Sequence, residues 1–288
     1  MKKITAILLM ALMVLSLTAC GNQTGKDNNG SEGSTEPTSV TITTLNGQKE
    51  ETLLEVPYNP ERIAILDLAA LDIIDSIGVG DKVVGMAQTS IDYLSHYSEN
   101  KSIKNLGTIK EKIKEADIEA VMECEPDIIF IGGRLSASYD KLSEIAPVVY
   151  LATDSSIGLV ESTLKNARTI ASIFGKENEV EDKVNQYNSR INNLKSIASG
   201  KNALVGMTTS GSFNILGNDG RCSIIGNEIG FNNLGATGNT STHGNEASFE
   251  TVVAKNPEYI FVMDRDKAIG KAGAASAKEI VENDLVRS

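Results

Sequence analysis

The chain has 288 residues, 27 Lys and Arg against 38 Asp and Glu, a formal net charge of −11 and no Trp. That length allows one large domain or two compact ones with cores of their own, and the acidic balance argues against a nucleic-acid partner, which needs a basic face. Two His and three Cys are too few for a four-thiolate zinc site, a histidine-rich metal cage or a disulfide scaffold.

Met1-Lys2-Lys3 leads into an uncharged run, Ile4–Ala19, followed by Cys20. A basic start, a short apolar segment and small residues at the cut are the parts of a secretory signal. The run is shorter than the about 20 residues a membrane-spanning helix needs. Leu17-Thr18-Ala19-Cys20 resembles the bacterial lipobox, which implies acylation of the Cys20 thiol. Residues 1–19 are therefore read as a lipoprotein signal peptide. Gly21–Ser39 holds no residue of the hydrophobic set, so residues 20–39 read as a lipidated Cys on a flexible tether, roughly 24 Å long as a coil.

From Val40 the pattern turns globular. Val40–Leu45 and Gln48–Val56 read as a hairpin about Asn46-Gly47, a pair suited to a type I′ turn. Arg62–Asp67 is predicted as a strand, Leu68–Ile77 as a helix closed by Gly78, and Val83–Met86 as a strand. Further on come a helix near Tyr139–Ile145 and a strand at Val148–Leu151. Ile157–Phe174 and Glu177–Ala198 form a long helical stretch broken at Gly175. Ala203–Thr208 and Phe213–Leu216 read as strands, with a helix near Ser223–Ile229. Strands alternating with helices predict parallel sheets.

An internal repeat organises these elements. Ile118–Arg134 (IEAVMECEPDIIFIGGR) aligns without a gap on Phe249–Arg265 (FETVVAKNPEYIFVMDR). The identities are Glu119/Glu250, Val121/Val252, Pro126/Pro257, Ile129/Ile260, Phe130/Phe261 and Arg134/Arg265. Asp117 and Ser248, one residue earlier, are both good helix N-caps. Each copy reads as a capped short helix, a proline, a buried strand and a loop carrying Arg. The expectation is an α/β chain of two Rossmann-like lobes with parallel sheets, residues 40–156 and 200–288, joined by a long rigid helical spine over 157–199. By the repeat, a strand matching Val148–Leu151 should follow a helix around Ala277–Val286. The second lobe is therefore expected to be incomplete at Ser288.

Lipobox, tether, two lobes and a connecting helix resemble the solute-binding lipoproteins of ABC importers, within the ferric-siderophore and vitamin B12 binding family. The motifs that carry the likeness are NPERIAIL at Asn59–Leu66, EPDIIFIGGR at Glu125–Arg134, NPEYIFVMDR at Asn256–Arg265 and STHG at Ser241–Gly244. The likeness is greatest to the branch that binds catecholate siderophores of the petrobactin and enterobactin type. It implies that Arg134, Arg221 and Arg265 line a cleft between the lobes and bind a ferric siderophore. The chemistry agrees: a ferric tris-catecholate is a rigid trianion, and Arg supplies planar, permanently charged donors that also stack on catechol faces. One such pair at 4 Å is worth roughly 4 kcal/mol at an effective dielectric near 20, before desolvation and screening.

The resemblance also implies that His243 can complete the iron shell when a siderophore leaves sites open, together with a Tyr near the C-terminus. Tyr259, in a predicted strand, and Tyr187, on the spine, are poor substitutes for that Tyr; a surface role for His243 stays open, and His96 reads as surface. Glu119 and Glu250 would dock to the two-fold membrane permease, although both also suit a helix N-terminus as first-turn acids. Cys124 and Cys222 fall in different lobes and are expected to be free, mostly buried thiols. No intrinsic cofactor is implied, and the expected assembly is a lipid-anchored monomer on the outer face of the cell membrane. Haem and cobalamin are the alternative ligands within the family. A tethered enzyme is the alternative of another class, and no Gly-x-Ser-x-Gly, His-Glu-x-x-His or phosphate-loop motif supports it.

Overall fold

A computed structural model describes residues 37–88, 91–108, 116–154, 156–236 and 240–282. The signal segment, Cys20 and most of the tether lie outside them. In chain order the first elements are β1 (Ser39–Leu45), β2 (Glu51–Pro57), β3 (Ile63–Ile65), α1 (Leu68–Ser76), β4 (Val83–Gln88), α2 (Ser95–Glu99) and β5 (Lys104–Thr108). Then come α3 (Ile118–Glu123), β6 (Ile128–Ile131), α4 (Tyr139–Ser143), β7 (Val148–Tyr150), α5 (Leu159–Phe174) and α6 (Glu177–Ala198). The remainder comprises β8 (Asn202–Thr209), β9 (Ser212–Ile215), α7 (Ile224–Asn227), β10 (Asn232–Asn233) and β11 (Asn245–Glu246). It ends with α8 (Phe249–Lys255), β12 (Tyr259–Asp264), α9 (Arg265–Ala268) and α10 (Ala277–Val281).

The first sheet is wholly parallel, in the order β5-β4-β3-β6-β7. Its central strands IAI and IIFI are buried at every position, as befits a parallel sheet covered on both faces. One face packs on α1, α5 and the β1–β2 hairpin, through Leu71, Ile74, Ile170 and Phe174. The other packs on α3 and α4, through Val121, Leu142 and Tyr150. Edge strand β7 is covered by the hairpin: the buried Thr44 hydroxyl donates to the Tyr150 carbonyl (3.0 Å) and accepts from its N–H (2.8 Å).

Both repeat units fold as a capped helix, a proline and a strand, but only the first strand is buried as predicted. β6 lies between β3 and β7 and is buried throughout, whereas β12 pairs, among the described residues, with β8 alone and is half-buried or exposed along its length. Arg265 opens a helix, α9, where a loop was predicted. The Asp117 carboxylate accepts from the Ala120 N–H and the Ser248 hydroxyl from the Thr251 N–H. Glu125 and Asn256, at equivalent places before the prolines, share a left-handed backbone (φ 44° and 45°). A following proline disfavours the right-handed helical region, so both chains leave the helix there. The helix then turns back into its strand through 124–127 or 256–258, which puts its N-terminus at the same sheet edge as the strand's C-terminal Arg.

Two further expectations are corrected. Strands β1 and β2 pair from Leu45↔Glu51, so their connection spans residues 46–50 and is not a two-residue Asn-Gly turn. The Asn46 side chain accepts the N–H groups of Gln48 and Glu50, and Lys49 takes the left-handed conformation (φ 67°). The two-residue turn with both φ angles positive occurs instead at Ser210-Gly211 (53° and 83°), between the antiparallel strands β8 and β9. Consequently the second sheet is mixed. β12 and β10 run parallel to β8, while β9 and β11 are antiparallel additions. Thr209↔Ser212 pairing leaves no room for a crossover helix, which a parallel connection requires.

The break at Gly175 is a sharp change of direction. Gly175 is left-handed (φ 62°), and a β-carbon there would lie 2.1 Å from the Tyr58 hydroxyl. Arg168 of α5 pairs with Glu181 of α6 at 2.6 Å, although 13 residues of straight helix would hold them about 20 Å apart. Helix α5 packs with the first sheet, while α6 buries Val180 and Val184 in that core and Ala198 beside Ala203 and Phe231 of the second lobe. Glu228 of the second lobe accepts from the Leu159 and Val160 N–H groups at the start of α5 (3.0 and 3.4 Å).

Candidate ligand-binding site

Strand order in the first sheet reverses between β3 and β6: the chain runs outward through β4 and β5, then restarts at β6 on the other side. The crevice beyond the carboxyl ends of two such strands is where open α/β sheets bind ligands. Asp67 follows β3 there, and Gly132-Gly133-Arg134 follows β6. A β-carbon on Gly132 would sit 3.0 Å from the Asp67 carboxyl group, so glycine is what lets the two loops meet. Asp67 N-caps α1 through the Ala69 N–H (3.0 Å). Burial pushes its pKa up, and the Ala69 amide recovers only part of the shift. The hydroxyl of the buried Tyr150 lies close to Gly133, where a β-carbon would sit 3.7 Å from it. Arg134 itself is exposed.

In the second lobe β8 and β12 are adjacent and parallel, and Arg265 opens α9 directly after β12. Its side chain is 16% exposed. One terminal nitrogen reaches the Thr209 hydroxyl (3.3 Å) and the Asp266 carboxylate (3.5 Å). Asp266 is buried and also accepts from the Ser210 N–H (2.7 Å) and the Lys271 ammonium (3.1 Å). Burial raises its pKa, but Lys271, the Ser210 amide and Arg265 outweigh that and hold it below its ordinary value. Arg221, half-buried, points a terminal nitrogen at the Met207 sulfur (3.9 Å). Met207 and Thr209 are two residues apart on β8, so their side chains share one face about 7 Å apart. The structure therefore brings Arg221 and Arg265 to the same face of one strand.

Beside Arg221 is a hollow of about 180 Å³ lined by Leu216, Gly217, Asp219, Gly220, Thr240 and their neighbours. The Thr240 hydroxyl donates to Asp219, and that bond holds the Asp219 carboxyl below its ordinary pKa, so the hollow that Arg221 borders also carries a negative charge. His243 follows this rim. Its imidazole is exposed and its carbonyl accepts from the Asn214 amide (2.7 Å). Among the described residues no group of three or more His, Cys, Asp or Glu side chains could hold a metal ion. Sequence reading missed Asp67, Asp219 and Asp266. Only the last two offered a signal, as acids within two residues of a candidate Arg.

The sequence family described as periplasmic binding protein matches residues 63–288. The chain belongs to the periplasmic binding protein family. It is 33% identical over 291 residues to the petrobactin-binding protein YclQ of Bacillus subtilis, covering all of this chain and 87% of that protein. The crystal structure of YclQ superposes with a TM-score of 0.75 at 34% identity, over 86% of this chain and 85% of the other. The periplasmic catecholate-siderophore binding protein VctP of Vibrio cholerae gives a TM-score of 0.75 at 29% identity, over 86% of each chain. This is a family of binding proteins, not of enzymes.

The remaining predicted positions of this periplasmic binding protein are accounted for as follows. Glu119 and Glu250 are exposed in the first turns of α3 and α8. The Glu250 backbone N–H and the Ser248 hydroxyl hold the Glu250 carboxyl below its ordinary pKa, as suits a first-turn acid. Cys124 and Cys222 are free, one buried and one half-buried, and burial raises both thiol pKa values. His96 is exposed, 3.5 Å from Asp75.

Proposed function

We propose that this periplasmic binding protein captures a ferric siderophore of the catecholate class and hands it to an ABC permease for iron uptake. The observation that carries the reading is the distribution of three arginines over two lobes. Arg134 stands at the switch point of the first sheet, and Arg221 and Arg265 share one face of β8 in the second. Kinship to a petrobactin-binding and a catecholate-siderophore binding protein supports the same ligand class. Arg265 is pre-oriented by Thr209 and Asp266, so little of its side-chain entropy remains to be lost on binding. His243 closes the iron shell when the siderophore donates fewer than six ligand atoms, imidazole being an acceptable ferric ligand.

Cys20 carries the lipid anchor, and the polar tether holds the protein, as a monomer, at the outer face of the membrane. Glu119 and Glu250 dock the loaded protein on the permease. Native mass spectrometry with ferric petrobactin, haemin and cyanocobalamin offered together tests the ligand class. One ferric petrobactin per chain is the expected adduct, and a haemin or cobalamin adduct in its place would overturn the reading.

A further inference from the structure

The hollow that Arg221 borders is walled by hydrogen-bond acceptors. Asp219, Thr240 and Ser241 line it. The Thr240 hydroxyl donates to the Asp219 carboxylate, and the Ser241 hydroxyl donates to the Gly244 carbonyl. Each hydroxyl has thus used its one proton and keeps only lone pairs to offer. The Thr240 N–H approaches the other Asp219 oxygen (3.4 Å). A carboxylate has about four acceptor sites, and these bonds do not fill them. Asp219 is exposed and its carboxyl is held below the ordinary pKa, first by the Thr240 hydroxyl, so it is ionised at neutral pH. Such an acid is at odds with a ligand that is anionic throughout. Arg221 and Arg265 share one face of β8 and meet negative charge there, yet Asp219 sets a like charge in the hollow beside Arg221.

We propose that Asp219 is a specificity-determining residue that receives a protonated amine on the siderophore's backbone, while Arg221 meets the anionic iron core beside it. This rests on the reading of the arginines as a ferric-catecholate site, and it narrows the ligand to catecholates whose linker carries an amine. An alkylammonium has only donors to offer and is charged at neutral pH, which matches a wall of acceptors with one carboxylate. The hollow, about 180 Å³, has the volume of about six waters and takes an ammonium with its flanking methylenes. A divalent cation fits less well, since it needs several oxygen ligands and no group of three or more His, Cys, Asp or Glu side chains among the described residues could hold a metal ion. The site is set before the ligand arrives: Thr240 fixes the carboxylate, and the Gly244 N–H closes the following turn on the Ser241 carbonyl (2.8 Å). The same carboxylate repels a competitor without an amine, so one residue acts for one ligand and against the other.

The test pairs two ferric catecholates: ferric petrobactin, whose polyamine arms are protonated at neutral pH, and ferric enterobactin, whose triester backbone has no amine. Each is titrated at neutral pH into the full chain, into Asp219→Asn, which keeps an acceptor for the Thr240 hydroxyl, and into Asp219→Glu, which keeps the charge. Asp219→Asn is expected to weaken ferric petrobactin by about two- to fivefold, as for an exposed ion pair, and to leave ferric enterobactin unchanged or tighter. Asp219→Glu is expected to recover part of the petrobactin affinity. A petrobactin constant that Asp219→Asn leaves unchanged or improves would overturn this inference and leave the ferric-catecholate reading standing. So would a loss shared by both ligands, which is the mark of a merely structural role, or a parent chain that binds enterobactin alone. If the parent binds petrobactin alone, Asp219→Glu decides: recovery supports the inference, and losses equal to those of Asp219→Asn overturn it. A parent chain that binds neither complex would overturn both readings.

Discussion

Arg134 and Arg265 occupy matching places in the repeat, yet their surroundings differ in a way that decides how each works. Arg265 is mostly buried and tied to Thr209 and to Asp266, whose charge it shares with Lys271. Arg134 is exposed. Charge-assisted hydrogen bonds contribute about 1.5–3 kcal/mol each. Arg134→Ala and Arg265→Ala are therefore each expected to weaken ferric-catecholate binding by roughly 10- to 100-fold, read by equilibrium titration. Arg134→Ala should leave the urea midpoint within about 0.5 kcal/mol of the parent. Asp67 makes a second, separable prediction. Folding raises its pKa above the ordinary 3.8, so the native chain holds this proton more tightly than the unfolded one. Its contribution is fully present below that value and is lost as pH rises through the native pKa. Asp67→Asn keeps a capping side chain without the buried charge and should match or exceed the parent's stability at pH 7. Asp67→Ala should lose about 1 kcal/mol. Equal losses in the two variants would show that the charge itself is needed.

At the scale of elements, Gly175 is the position where one substitution should redirect the chain. Its left-handed backbone and the Tyr58 hydroxyl beside it leave no place for a β-carbon. Gly175→Ala should destabilise by about 1–2 kcal/mol from the backbone alone, measured as a lower urea midpoint, whereas Gly→Ala on a helix interior would stabilise. That break was legible because Gly in a periodic apolar pattern marks a helix end, and both repeat units were legible because cap, helix, proline and strand recur in order. The Asn46-Gly47 turn was misread because Asn46 uses its side chain to bond the backbone of Gln48 and Glu50. The antiparallel β8–β9 pair went unseen because Ser-Gly is a weaker turn signal than Asn-Gly, and only the register reveals that both residues turn left-handed. At the site, the Arg positions were legible through the repeat. Asp67 was not, since it reads as the last residue of a strand; its cap on α1 is a local bond to the Ala69 N–H, and only the fold shows that Gly132 packs against it.

For the whole molecule, the two lobes are coupled by α6 and by the Glu228 carboxylate at the start of α5. Gly158, left-handed at φ 87°, allows that approach, since a β-carbon there would lie 3.1 Å from the Glu228 oxygen. Glu228→Ala removes the cap of a sixteen-residue helix together with this link between lobes, and should lower stability by about 1–2 kcal/mol in urea unfolding. The central claim, that arginines from both lobes hold one ferric catecholate, is tested most directly by tyrosine fluorescence. The chain has seven Tyr and no Trp, and the Tyr150 hydroxyl lies close to Gly133, the residue before Arg134. Titration of ferric petrobactin, ferric enterobactin and haemin into the chain beginning at Gly21 should give saturable quenching by a ferric catecholate, abolished in the Arg134→Ala/Arg265→Ala double variant. Quenching by haemin alone, or catecholate quenching that survives in the double variant, would contradict it.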